Sequence, residues 1–218
     1  MKSNLRLMRS RGFTLIELMV VVALVAIVLT LAAPSFRDMI LMRRLHGVSA
    51  ELVTDVQFAR SEAVSRQQFA VVMFGNGATP AQSCYVIYAC TNKNSTGCIC
   101  DCTLGAGNAC SPSAAVTEIR TVQVLDATGV QVRPIRDPLA NSALMLSLEF
   151  DPVIAGMRPV YIGTGNLPYA PAGSASVEAL AIADPAAARR TLRDIISPAG
   201  RPSVCTPGGL VNGVPTCP

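Results

Sequence analysis

The clearest pattern in the chain is an apolar stretch close to its N-terminus. Among the 21 residues from Phe13 to Ala33, only Thr14, Glu17 and Thr30 are polar. A helix of this length extends about 30 Å, which matches the hydrocarbon core of a bilayer. The stretch therefore predicts a membrane-spanning helix.

Four basic residues come directly before this stretch and predict its orientation. They are Lys2, Arg6, Arg9 and Arg11. The positive-inside rule then places the short N-terminus in the cytoplasm and the remainder of the chain outside it. A secretory signal is a poorer explanation, because its apolar core is shorter and is followed by a small-residue cleavage site.

Glu17 does not fit an ordinary membrane anchor. An ionisable group inside a spanning helix costs at least ~2.5 kcal/mol unless it finds a partner. The apolar segment contains no cation that could provide one. Glu17 therefore calls for a partner that the segment itself does not supply.

The residues around Glu17 resemble the processing site of type IV prepilins and pseudopilins. The resemblance rests on Gly12-Phe13-Thr14-Leu15-Ile16-Glu17, the basic leader 1–12, the apolar helix 13–34 and Pro34 at the C-terminal end of that helix. It implies that prepilin peptidase cleaves between Gly12 and Phe13 and methylates the new amine of Phe13. It also implies that the subunit leaves the inner membrane for a helical filament of other pilins. There Glu17 would pair with the N-terminal ammonium of a neighbour, because a paired charge in an apolar core costs far less than an unpaired one.

A helical pattern resumes after Pro34 and predicts an amphipathic half-helix over 35–68. Its apolar positions recur at steps of three and four: Leu41, Leu45, Val48, Leu52, Val56, Ala59 and Ala63. Such a stripe is typical of a helix that packs on one face. Pro34 is expected to kink or loosen the join, and His46 is expected on the helix surface without a chemical role.

Short β-type runs separated by Gly and Pro replace the helical pattern from residue 69 onward. The predicted strands are Phe69–Phe74, Cys84–Tyr88, Glu118–Leu125, Val130–Arg133, Leu144–Phe150, Pro159–Ile162, Ser176–Ile182 and Arg190–Ile196. The expected fold class is α+β, with one long N-terminal helix packed on an antiparallel sheet in a pilin-like domain over 69–218.

All eight cysteines lie in this last region, which suits an oxidising compartment. They are Cys84, Cys90, Cys98, Cys100, Cys102, Cys110, Cys205 and Cys217. Disulfides are the favoured interpretation, and a metal site on Cys98-x-Cys100-x-Cys102 is the alternative. Eight cysteines allow 105 pairings, so the connectivity is open. Cys205 with Cys217 is the best single pair, and the other six would hold a loop over 92–112.

The net charge of +4 comes entirely from the leader. Cleavage after Gly12 leaves 14 basic and 14 acidic residues, so no general attraction to nucleic acid or anionic lipid is expected. Binding of either would have to be local.

Two further stretches resemble minor pilins of the GspH/FimT type. One is Gln57-Phe58-Ala59-Arg60-Ser61-Glu62-Ala63-Val64, and the other runs from Ala183 through Gly200-Arg201 to Cys205. FimT-like members bind DNA through a Gly-Arg-x-Arg tail during natural transformation. Here Arg201 matches the first Arg, while Ser203 replaces the second. Arg189, Arg190 and Arg193 could supply additional phosphate contacts, or these arginines could simply solvate a strand edge.

The sequence favours a non-enzymatic protein without a cofactor. His46 is the single histidine, so the exported region offers no Ser-His or Cys-His pair. Glu149 and Asp151 are expected to be surface carboxylates, and Gly163-x-Gly165 has no following helix to form a phosphate loop. Three functions remain open: a minor pilin in pilus assembly, a pseudopilin of type II secretion, and a DNA receptor for uptake.

Overall fold

The computed structural model describes residues 12–75, 82–91, 98–111, 115–135, 144–162, 168–169, 173–185 and 189–218. Its elements are α1 (Leu15–Arg66), β1 (Phe69–Phe74), β2 (Gln82–Cys90), β3 (Val116–Leu125), β4 (Val130–Pro134), β5 (Leu144–Phe150), β6 (Met157–Ile162), β7 (Pro168–Tyr169), β8 (Ala175–Ala181), β9 (Thr191–Ile196) and β10 (Pro202–Cys205). Short 3-10 turns lie at Cys102–Leu104 and Asp126–Thr128.

The long helix α1 contributes to two compact units. One comprises the residues up to Ile40, and the other runs from Leu41 to Pro218. In the first unit the large apolar side chains are exposed from Phe13 to Ile40. By length and composition this part of α1 could cross a membrane, which fits membrane anchoring.

Local interactions define where α1 begins and ends. Thr14 caps the N-terminus, because its Oγ1 accepts a hydrogen bond from the N–H of Glu17 at 3.3 Å. The helix continues through Pro34 and ends at Arg66, slightly before the predicted end at Gln68. Gln67 adopts a left-handed φ of 54°, and the N–H of Gln68 bonds back to the carbonyl of Ala63 at 3.2 Å. This is the hydrogen-bond pattern of a Schellman motif, which stops a helix.

The larger sheet has six antiparallel strands in the order β3-β2-β1-β5-β6-β7. One face packs on α1 through Ala70, Val72 and Phe74 of β1, which join Leu52 and Val56 of the helix in the main core. The alternation of side chains along a strand puts the neighbouring residues on the opposite face. There Val71 and Met73 pack against the cysteines of 98–111.

The smaller sheet has four antiparallel strands in the order β10-β9-β8-β4. Leu45 of α1 is fully buried against its inner face, together with Val130, Ala179 and Leu192. The backbone N–H of Val132 in β4 donates to the Ser83 hydroxyl of β2 at 2.9 Å. This bond joins the two sheets.

The predicted architecture is confirmed: one long helix packs on antiparallel β-structure. The helical stripe faces the core, and His46 is exposed. The division into two sheets was not predicted, and neither was the two-residue strand β7. Gly163-x-Gly165 lies outside the described residues.

The cysteines form four disulfides. The pairs are Cys84–Cys102, Cys90–Cys98, Cys100–Cys110 and Cys205–Cys217. The last is the pair singled out from the sequence. Cys84–Cys102 and Cys90–Cys98 join the segment 98–111 to β2 of the larger sheet, and Cys100–Cys110 closes that segment on itself. Since all eight sulfurs are bonded in pairs, Cys98, Cys100 and Cys102 are not thiolate ligands in this structure.

Candidate functional site

The predicted processing segment precedes the helix. Gly12, Phe13 and Thr14 are exposed and lie outside regular secondary structure, and α1 begins at Leu15. The Gly12–Phe13 peptide bond therefore stands in irregular backbone before a capped helix. The Phe13 side chain is 79% exposed. A protease could reach this bond without unwinding α1.

Glu17 occupies the third position of the helix. Its backbone N–H is satisfied by Thr14, as described above, and its side chain is exposed. Within the described part of the chain its carboxylate forms no ion pair. An acidic group in the first turn is favourable for the helix dipole, but that effect does not explain a charge within an apolar run.

The four arginines proposed for DNA contact are divided by the structure. Arg190 makes a bidentate ion pair with Asp184, at 2.7 and 2.8 Å, and this pair holds the pKa of the Asp184 carboxyl below its usual range. Arg193 pairs with Glu178 at 2.8 Å. Neither guanidinium is therefore a free cation.

Glu178 lies between two arginines on the outer face of the smaller sheet. Arg133, Glu178 and Arg193 occupy matching register positions on β4, β8 and β9. The Glu178 carboxylate is bonded on both sides, to Arg133 at 3.1 Å and to Arg193 at 2.8 Å, and Glu178 is 7% exposed. Arg193, like Arg133, thus neutralises part of the charge of the buried Glu178 carboxylate.

Arg201 and Arg189 lie at opposite ends of the β9 strand. Arg201 is exposed in the turn before β10, where its backbone N–H bonds to the Ser197 hydroxyl at 3.2 Å. The Arg189 Nε is buried, without a hydrogen-bond partner in the described residues. The structure therefore does not bring the four arginines together into one patch.

Arg60 is a neighbour of Arg201 that the sequence analysis did not single out. It lies on α1, and its Nε donates to the carbonyl of Ala155 at 3.1 Å. Arg60 and Arg201 line one groove of about 430 Å³, together with Gln57, Ser61, Val64, Ala155, Gly200 and Pro202. Arg60 lies in the stretch 57–64 that resembles minor pilins, and this position is the sequence feature that could have identified it.

Two buried carboxylates attach α1 to the two sheets. On the larger sheet, Asp55 accepts a hydrogen bond from the Tyr85 hydroxyl at 2.7 Å and pairs with Arg120 at 2.9 Å. Burial raises the pKa of Asp55 and of Tyr85. The contacts of Asp55 with Tyr85 and Arg120 fix the orientation of α1 on the larger sheet.

Asp194 faces α1 from the smaller sheet. It is 0% exposed, and its Oδ1 accepts from the Ser49 hydroxyl at 2.8 Å. Its Oδ2 is buried and has no partner among the described residues. Burial raises the pKa of this carboxyl to about 7, with the Ser49 hydrogen bond opposing the shift.

The comparisons with known proteins agree with the processing segment. Residues 7–33 match the family model for the prokaryotic N-terminal methylation motif. No curated protein and no solved structure matches the chain. The motif supports a type IV pilin-like prepilin, a class that is processed by prepilin peptidase and assembles with other pilins.

Proposed function

We propose that the chain is a minor type IV pilin of the GspH/FimT kind, which takes part in the assembly or initiation of a pilus. The observation that carries the proposal is the methylation motif at the start of a long helix, which packs further along on a disulfide-held β-domain. In this proposal, prepilin peptidase removes residues 1–12 and methylates Phe13. The domain is held on the periplasmic side of the inner membrane until the subunit enters the filament.

Glu17 is the assembly residue in this account. Its carboxylate lacks an ion-pair partner in the described chain, and leaving such a charge in an apolar environment is costly. The N-terminal ammonium created by cleavage at Phe13 would be the partner when it comes from an adjacent subunit. The pair would form once subunits are in register, so Glu17 would select the correct axial position.

A GspH-type pseudopilin of type II secretion is the first alternative. It would use the same cleavage, the same helix and the same role for Glu17. The two alternatives differ in the machine that receives the subunit. Pilus genes or secretion genes next to the coding gene would therefore favour one or the other.

DNA binding for natural transformation is the second alternative, and its basis among the described residues is narrow. Arg190 and Arg193 are occupied by Asp184 and Glu178, so Arg201 is the exposed cation that remains from the Gly-Arg turn. Binding through phosphates would weaken steeply with salt. The alternative predicts salt-sensitive binding of duplex DNA by the chain and its loss on Arg201→Ala, whereas no binding at low salt would exclude it.

The test of the main proposal is deletion of the gene, followed by a count of surface pili against a complemented control. Lost or strongly reduced piliation is the expected result. Normal piliation would contradict a role in pilus assembly. Secretion and transformation assays in the same strain would then decide between the two alternatives.

A further inference from the structure

The groove that contains Arg60 and Arg201 continues into an exposed apolar turn. This turn joins β5 to β6 and carries Val153 and Ile154, which are 88% and 76% exposed. Ala155 follows them and lines the groove. The two apolar residues therefore directly precede a groove residue along the chain, and we name the groove together with this turn the Arg60–Ile154 flank.

The turn is built to hold these apolar side chains outward. The Asp151 Oδ1 accepts from the backbone N–H groups of Val153 and Ile154, at 2.8 and 3.2 Å. The N–H of Ala155 bonds to the carbonyl of Asp151 at 3.0 Å, with Ala155 at a left-handed φ of 50°. This backbone conformation costs free energy for a non-glycine residue, so it persists only where surrounding contacts fix it. Val153 and Ile154 thus form a small, fixed apolar projection next to the groove.

The two arginines of the flank lack the acidic partners that most other described arginines have. Ion pairs are formed by Arg66, Arg120, Arg133, Arg158, Arg190 and Arg193. Within the described ranges no carboxylate pairs with Arg60 or Arg201. Arg60 uses its Nε on the Ala155 carbonyl, which leaves its terminal nitrogens available as donors to a ligand.

We propose that the Arg60–Ile154 flank binds a neighbouring pilin subunit through a segment that places a carboxylate between the two guanidiniums and apolar side chains against Val153 and Ile154. Charge complementarity identifies the acidic group, because arginine binds carboxylates through charge-assisted, often bidentate hydrogen bonds. The exposed Val153 and Ile154 indicate that the rest of the bound segment is apolar. Gln57 and Ser61 add polar groups to the lining of the groove.

A protein segment fits this flank better than nucleic acid does. Phosphates would use the two arginines but would leave Val153 and Ile154 in water. The lining of the groove includes no aromatic side chain on which a base could stack. Nucleic acid is therefore an outcome of the test and not the proposal. The inference rests on the proposed pilin function, since the partner is another subunit.

Site-specific cross-linking in the native host tests the flank. Val153 is replaced by the photoreactive p-benzoylphenylalanine in the full chain, and Leu210, which is also exposed, receives the same group as the positional control. Adducts are identified by mass spectrometry of the joined peptides. Expected is an adduct from position 153 to a peptide of a pilin subunit that contains Asp or Glu, and none from position 210.

Charge substitutions then test whether the yield of the adduct depends on the arginines of the flank. Arg201→Glu should lower the yield at position 153 about tenfold, as expected for the loss of one charge-assisted contact. Arg66→Glu is the matched control, because Arg66 pairs with Glu62 and lies outside the groove, and it should leave the yield unchanged. Changing the adducted acidic residue of the partner to Arg should restore the yield with Arg201→Glu.

Sheared pili from the same strains separate the two proposals. Subunit present in pili without an adduct at position 153, or with an adduct that Arg201→Glu does not change, overturns the flank while pilus incorporation stands. An adduct to DNA alone also overturns it. Absence of the wild-type subunit from pili overturns both the pilin function and the inference that depends on it.

Discussion

The Cδ atom of Arg60 lies 3.0 Å from the point that a Cβ atom would occupy on Gly200. The Arg60 side chain crosses the β9–β10 turn at that position and reaches the Ala155 carbonyl. Gly200 also has a φ of 72°, which is left-handed and favours glycine. The Gly-Arg turn is therefore shaped by an arginine of the helix as well as by its own backbone.

Gly200→Ala should lower the free energy of unfolding by about 2 kcal/mol, since it adds backbone strain and crowds both Arg60 and the buried ring of Phe150. Gly213→Ala is the matched control, because Gly213 has a similar φ of 81° but nothing within 4 Å of the point where a methyl group would stand. Thermal unfolding of both variants in detergent measures the difference. Equal losses would show that the side-chain contacts around Gly200 contribute nothing.

Gly75→Ala should prevent the Cys84–Cys102 disulfide. A Cβ at Gly75 would stand 2.6 Å from the Sγ atoms of both cysteines, a separation that side chains do not adopt. Two alkylatable thiols are expected in the variant by mass spectrometry under non-reducing conditions. Gly47→Ala, with open space around it, should retain all four disulfides. A fully oxidised Gly75→Ala protein with the native pairing would contradict the prediction.

Several of these features follow from the sequence, and others depend on long-range contacts. The stripe from Leu41 to Ala63 is a local periodicity, so it predicted the second half of α1 and its packing face. The meeting of Arg60 with Gly200 depends on how α1 and the distant β9–β10 turn come together, which no local period encodes. The pairing of Arg193 with Glu178 likewise depends on the register of β8 and β9.

Asp194 should make stability depend on pH. Its pKa of about 7 in the folded state lies above its unfolded value, so the folded state holds the proton more tightly. The stabilisation is therefore fully present below about pH 4 and is lost as the pH rises to about 7, on the order of 4 kcal/mol. Asp194→Asn keeps an acceptor for Ser49 and should remove most of this slope. Melting temperatures of both proteins from pH 4 to 8 test it, and parallel curves would contradict it.

Arg193→Ala and Arg201→Ala should have different effects on stability. Removing Arg193 leaves the buried Glu178 with Arg133 alone, so a loss of about 2 kcal/mol is expected. Arg201 is exposed and bonds through its backbone, so its substitution should change stability by less than about 0.5 kcal/mol. Chemical denaturation of the purified chains measures both. A larger loss for Arg201 than for Arg193 would contradict the assignment.

Glu17→Ala should leave cleavage and membrane insertion intact and reduce recovery of the subunit in sheared pili, because it removes the intersubunit ion pair. Thr30→Ala is the control within the same apolar run, since the Thr30 hydroxyl bonds to the carbonyl of Ile27 in its own helix. Immunoblots of membranes and pili give both quantities. Equal recovery of the Glu17 variant and the wild type would contradict the assembly role.

The intact mass of the chain, purified from its host with and without the prepilin peptidase gene, tests the central claim most directly. We predict that the chain from the wild-type host lacks residues 1–12 and carries one methyl group on Phe13. The chain from the peptidase deletion should keep the leader and an unmodified Phe13. The same full-length mass from both hosts would contradict the claim that this chain is a processed pilin subunit.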